Sequence, residues 1–181
     1  YYMMLMMIGS VVNDPSAVLV LRAVFYATAV FSALIGSIAS DKIKRLRFLY
    51  FWMALGVATS LLPAFTENAS LTQTSVMVLL FGVSFGLGMP SCLAYFADST
   101  LVENRGRVSG IVLLAANVSV LPLVILLGTS SLTINSVILA IWRTWGLLLF
   151  ALLKPQEKIS APRRLTSFAT IFQNRSFVLY F

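Results

Sequence analysis

Histidine is absent from these 181 residues, and there is a single cysteine, Cys92. Without histidine the chain lacks the commonest general base and metal ligand near neutral pH. A lone thiol closes no internal disulfide and builds no zinc cluster, so Cys92 reads as a small buried side chain. Charge is also scarce. Only 10% of residues are charged and 59% are hydrophobic, against about 25% charged and roughly 45–50% apolar in a soluble domain. That leaves too few polar residues to give every element a wet face. Acids are scarcer still, six against thirteen bases, for a net charge of +7. In a soluble chain such an excess points to nucleic acid. Here the bases fall between apolar runs, so orientation in a lipid bilayer accounts for them and no nucleic-acid partner is expected. Nothing in the composition calls for a metal or a cofactor.

What the chain does have is long apolar runs. A helix crossing a bilayer needs about 20 mostly apolar residues, and five windows supply them: Val18–Ala39, Leu46–Phe65, Thr74–Phe96, Val108–Gly128 and Leu132–Leu153. "YYMMLMMI" at the start reads as the end of an earlier span, and "SFVLYF" at 176–181 as the start of a later one. Runs of this length exclude barrel strands, which need only about 9–11 alternating residues, and lipid favours helices because they satisfy their own backbone. The expected fold is therefore all-α, a polytopic transmembrane helix bundle over residues 1–153. Residues 154–175 form the long polar stretch, broken by Pro155 and Pro162, and read as a connector between two halves of a larger protein. Within it "RLTSFATIF" has the pattern of a segment lying along the membrane surface. The chain reads as a fragment open at both ends.

The bases alternate between loops. Lys42, Lys44, Arg45 and Arg47 lie between the first and second windows, Arg105 and Arg107 between the third and fourth, and Lys154, Lys158, Arg163, Arg164 and Arg175 after the fifth. The intervening loops, around Asn13–Ser16, Thr66–Gln73 and Thr129–Ser131, hold none. Eleven bases on one side and none on the other predict a multi-pass protein of the cell membrane with its basic loops in the cytoplasm. Asn68-Ala69-Ser70 matches a glycosylation sequon on the opposite side, a short pattern of low specificity.

The two remaining bases, Arg22 and Arg143, fall inside apolar windows. An arginine at bilayer centre costs about 2.5–3.5 kcal/mol even on the mildest scale, so each needs a partner or a function. Both are candidates for binding an anionic substrate group, with Asn117 as a further polar candidate. Tyr50, Phe51 and Trp52 follow the first basic loop, as interfacial anchors would. Gly82 and Gly86, four apart, suit close helix approach, as do Ser32, Gly36 and Ser40. Gly86, Gly88 and Pro90 suit a flexing point in the third window, and Pro122 raises a similar question in the fourth.

Two stretches resemble the N-terminal half of a major facilitator superfamily transporter. That family carries G-x-L-a-D-[RK]-x-G-[RK]-[RK] between its second and third helices, and the matching run here is "GSIASDKIKRLR". Asp41 falls on the aspartate, Lys42 on the following base and Arg45 on the next. The glycine positions are taken by Ser37 and Lys44, and the final base position by Leu46. The second match is "GLGMPSCLAYFADSTLVENRGRVSG", where Asp98 and Arg105-Gly106-Arg107 fit the acid and R-G-R loop that end the fourth helix. "FQNRSFVLYF" resembles the family's entry into helix seven, and Trp142-Arg143 a pair near the start of helix six.

The resemblance covers nearly the whole chain, from the end of helix one to the start of helix seven. It implies a twelve-helix permease of small solutes, of which this chain supplies the first six-helix bundle and a C-terminal half the second. It also implies that Asp41, Lys42, Arg45, Asp98, Arg105 and Arg107 form a cytoplasmic latch. The helix-four arginine of proton-coupled members is absent, its place being Gly82, and so is the G-x-x-x-G-P motif of drug antiporters. Two other readings stay open: a channel or receptor without a transport cycle, and a membrane enzyme, which the missing histidine and intramembrane acid pair disfavour.

Overall fold

The structure, a computed structural model, describes residues 1–12, 14–65, 70–127 and 131–155. The sequon asparagine, the polar connector from residue 156 onward and the segment at 176–181 lie outside the described residues.

Among the described residues seven α-helices follow in order: α1 (Tyr2–Val11), α2 (Pro15–Lys42), α3 (Arg45–Ser60), α4 (Leu71–Gly86), α5 (Met89–Ser99), α6 (Arg105–Leu127) and α7 (Leu132–Leu152). Short 3₁₀ turns at Leu62–Phe65 and Val102–Asn104 extend α3 and precede α6. Five segments among the described residues are long and apolar enough to cross a membrane: Pro15–Ser40, Arg45–Phe65, Leu71–Ser99, Val102–Leu127 and Leu132–Leu152. The five apolar windows coincide with these, the third with α4 and α5 together; Gly128, the last residue of the fourth window, lies outside the described residues, and the fifth runs one residue past its span.

Local chemistry sets the boundaries. Asp14 caps α2 with Pro15 at its first turn, where a missing N–H costs nothing. Ser70 and Gln73 form a reciprocal capping box on α4, with Ser70 N donating to Gln73 Oε1 at 2.9 Å. Ser131 caps α7. Pro63 ends the regular part of α3, since it has no N–H to continue the ladder. At the far end of α7, Lys154 takes a left-handed conformation with φ 44° before Pro155, a common way to stop a helix.

Asp14 accepts from the Ser16 hydroxyl at 2.6 Å and from Ser16 N at 3.1 Å, and these bonds hold its carboxyl below the usual carboxylate range. A depressed pKa means that the cap contributes fully above the unfolded value, about 4, and is lost as pH falls through the lower folded value. Amide protection factors at Ser16–Val18, corrected for the intrinsic pH dependence of exchange, should therefore fall with acidification below about pH 4. Asp14→Asn, which also caps but does not titrate, should remove that dependence.

The core is built from α1, α2 and α4, with Met4, Met7 and Ile8 against Leu21, Phe25, Val78 and Phe81. α2 lies along α4, and α3 pairs with α7. α6 stands apart: Leu127 is its one buried residue, and Asn135 Nδ2 of α7 donates to the Leu127 carbonyl at 2.8 Å. The outer surface is apolar, with Leu19 and Ile125 each 70% exposed, as helices facing lipid would be. Cys92 lies on an exposed face of α5, not inside the bundle as the sequence suggests. The exposed faces here are apolar too, so a small apolar thiol sits on either.

Candidate functional site

Two constellations stand out, one at the basic end of the bundle and one midway along it. At the basic end, Arg45 opens α3 and Asp98 lies in the last turn of α5. Arg45 Nη1 donates to Asp98 Oδ2, both side chains partly buried, in the one salt bridge among the described residues. Arg105, the first residue of α6, donates from Nη2 to the Ala97 carbonyl at 2.6 Å. Two arginines from different helices thus grip adjacent residues at the C-terminal end of α5. A helix C-terminus carries partial negative charge and unfilled carbonyls, so cations are favoured there. The Nε atoms of Arg45 and Arg105 are buried without a hydrogen-bond partner among the described residues. Lys42 and Arg107 are exposed at the same end. Asp41 belongs to the last turn of α2, and its side chain lies outside what the structure describes.

Above this cluster the long third span is interrupted. Pro90 has no N–H to offer the Gly86 carbonyl one turn back, and α4 ends at Gly86 while α5 begins at Met89. The break is filled from α3. Trp52 Nε1 donates to the Ser84 carbonyl at 2.6 Å, and its ring lies where a Cβ on Gly88 would be, 1.9 Å from Cδ2. Trp52 is therefore turned into the bundle, not out to the interface as its place after the basic loop suggests. An indole N–H in an apolar setting needs an acceptor, and the helix break presents one. Of its neighbours, Tyr50 packs edge-on against Phe150 at 5.1 Å and Phe51 is exposed. Gly86 meets α2: a Cβ there would lie 2.0 Å from the Ala29 carbonyl oxygen.

The second constellation surrounds Arg143, the twelfth of the 21 residues of α7. At about 1.5 Å rise per residue it lies some 16 Å from the start of the helix and about 14 Å from its end, near the middle of an apolar span. Its Nη1 donates to the Gly56 carbonyl of α3 at 2.6 Å. Gly56 lies in the last part of α3, and its carbonyl also accepts from the Thr59 and Ser60 hydroxyls at 3.1 and 2.7 Å. Arginine, serine and threonine together crowd one oxygen near a helix C-terminus. The missing side chain at Gly56 eases the approach, since a Cβ there would stand a tight 3.3 Å from Nη1. Beside Arg143 is a cavity of about 400 Å³. Trp52, Phe85 and Trp142 form its aromatic walls, and Ser84 and Gly146 also line it.

The other two candidates for substrate binding are elsewhere. Arg22 is exposed on α2, a turn before Tyr26, and Asn117 is exposed on α6 with its Nδ2 donating to its own helix at Leu113, 2.8 Å away. Neither joins the Arg143 cavity. Sequence reasoning singled out Arg143 but gave no sign of Gly56, Ser84 or Gly146, whose parts depend on contacts across helices. Among the described residues no group of three or more His, Cys, Asp or Glu could hold a metal ion. No family model matches the chain, and no curated protein or solved structure matches it.

Proposed function

We propose that this chain is the N-terminal half of a secondary transporter of small solutes, of the major facilitator type, working by alternating access. On this reading it sits in the cell membrane with its basic loops in the cytoplasm, and a C-terminal half of the same protein supplies the other wall of the pathway. The observation that carries the reading is the Arg45–Asp98 pair. It ties α3 to α5 at their water-facing ends, next to Arg105 on Ala97, in the loops where the family's latch falls. The resemblance adds Asp41, Lys42 and Arg107 to the same cluster. The partnerless Nε atoms of Arg45 and Arg105 are consistent with a cluster that a further acceptor completes in one state of the cycle. A pair partly open to water contributes only about 1 kcal/mol, yet that changes an equilibrium near balance several-fold. The break between Gly86 and Met89 would give the third span its flexing point. No catalytic chemistry and no cofactor enter this reading.

The test uses the full-length protein in proteoliposomes, with uptake of a panel of radiolabelled small solutes and the membrane conductance measured together. Wild type should show saturable uptake, Asp98→Asn should slow it several-fold without loss of insertion, and the exchange Arg45→Asp with Asp98→Arg should recover most of it. A non-saturating conductance would favour a channel. Uptake indifferent to Asp98→Asn would sink the latch.

A further inference from the structure

We infer that the Arg143 cavity is a binding site for an organic monoanion with an apolar or aromatic body, such as an aromatic carboxylate. As a substrate assignment this rests on the transporter reading. As a binding site it does not, and the test below measures equilibrium binding without flux, so that each fails separately.

The argument begins with charge. Arg143 is a permanent cation midway along an apolar helix, and no carboxylate lines the cavity or forms an ion pair with it among the described residues. Its partner is a neutral carbonyl at the C-terminal part of α3. A carbonyl near a helix C-terminus offsets only part of the guanidinium charge. One anionic group is enough to neutralise the rest. Two anionic groups would leave excess negative charge with no further base on the wall.

Geometry points the same way. Gly56 occupies one Nη1 donor, while a guanidinium has five N–H donors in a planar fork that suits the two oxygens of a carboxylate. Ser84, whose hydroxyl accepts from Thr59 at 3.0 Å, lines the same space. Around the fork the walls are aromatic, and the volume of about 400 Å³ falls in the usual range for small-molecule sites, about 300–1,000 Å³. Flat apolar walls with one fixed cation select for an anion with a flat apolar body. An inorganic anion such as chloride would leave most of that wall without contact.

The lining also provides its own control. Gly146 faces the cavity, and a Cβ built on it meets nothing within 4 Å. Gly146→Leu therefore adds a side chain into open space while removing a helix-interior glycine, a change that favours the helix.

The experiment is a tryptophan quenching titration of the full-length protein in lipid nanodiscs with 4-iodobenzoate, whose iodine quenches nearby indoles. Neutral 4-iodobenzamide serves as the matched control. Trp52 and Trp142 on the cavity wall report occupancy. Wild type should quench saturably, with at least about tenfold preference for the carboxylate, as expected for a charge-assisted hydrogen bond. Arg143→Gln should abolish the preference, Arg143→Lys should keep part of it, and Gly146→Leu should abolish saturable quenching by both compounds with helix content unchanged. Equal quenching by carboxylate and amide in wild type would overturn the inference, as would a response in Gly146→Leu that matches wild type. Should Arg143→Gln fail to insert, the Gly146→Leu and amide comparisons still decide the matter.

Discussion

Gly86→Val should leave little or no folded protein in mild detergent. A Cβ at Gly86 would stand 2.0 Å from the Ala29 carbonyl oxygen and 2.3 Å from the Ser32 hydroxyl, and the first of these is backbone that no rotamer change can move. The single Ser32 hydroxyl proton is shared between the Ala29 carbonyl at 3.0 Å and the Gly82 carbonyl at 3.3 Å, so the same seam carries an interhelical polar contact. On the α2 side, a Cβ at Gly36 would lie 1.9 Å from the Leu87 carbonyl oxygen. α2 and α4 would have to separate along this seam. Overpacking commonly costs about 1–3 kcal/mol when side chains can adjust, and a backbone clash exceeds that. Native stability is only about 5–15 kcal/mol, so even Gly86→Ala should lower the melting temperature by many degrees. Gly110, with nothing within 4 Å of a built Cβ, is the control. Gly110→Ala should be neutral or stabilising, by at most about 1 kcal/mol. Thermal unfolding followed by size-exclusion chromatography measures both. Gly86→Ala unfolding at the wild-type temperature would show that the seam is looser than described.

Gly88→Ala should be the second most damaging change, and its effect should depend on Trp52. The alanine methyl would fall 1.9–2.5 Å from three atoms at the body of the indole, not at a flexible tip. Trp52 would then be displaced, and the Ser84 carbonyl at the helix break would lose its donor. An unsatisfied buried carbonyl costs about 1–3 kcal/mol, before counting the void that the ring leaves. Trp52→Ala alone should cost a similar amount, since it removes the same donor and opens the same space. In the double variant the new methyl occupies part of the void, so the two costs should fall short of their sum by 1 kcal/mol or more. Simple additivity in chemical unfolding would mean that Trp52 and Gly88 do not share one site.

How far the sequence reached can be judged from these residues. It determined the rough extent of the five apolar spans among the described residues, because hydropathy and length are local properties. It determined the alternation of basic and base-free loops, since charges are counted without knowing any contact. It also marked Arg143, because a charge inside an apolar run is conspicuous wherever its partner lies.

The tertiary structure alone decided the rest. Arg143 meets a carbonyl 87 residues away and Arg45 an acid 53 residues away, and no local pattern carries those distances. Trp52 points inward because a broken helix 32 residues along offers its carbonyl. Gly86 and Gly88 look alike in sequence, yet one seats the α2 backbone and the other an indole ring. A soluble helix shows its buried face by apolar periodicity. Here both faces are apolar, as suits helices able to cross a membrane, which associate by fit and hydrogen bonding instead. The sequence therefore shows where the helices run, while shape decides which face of each meets its neighbour.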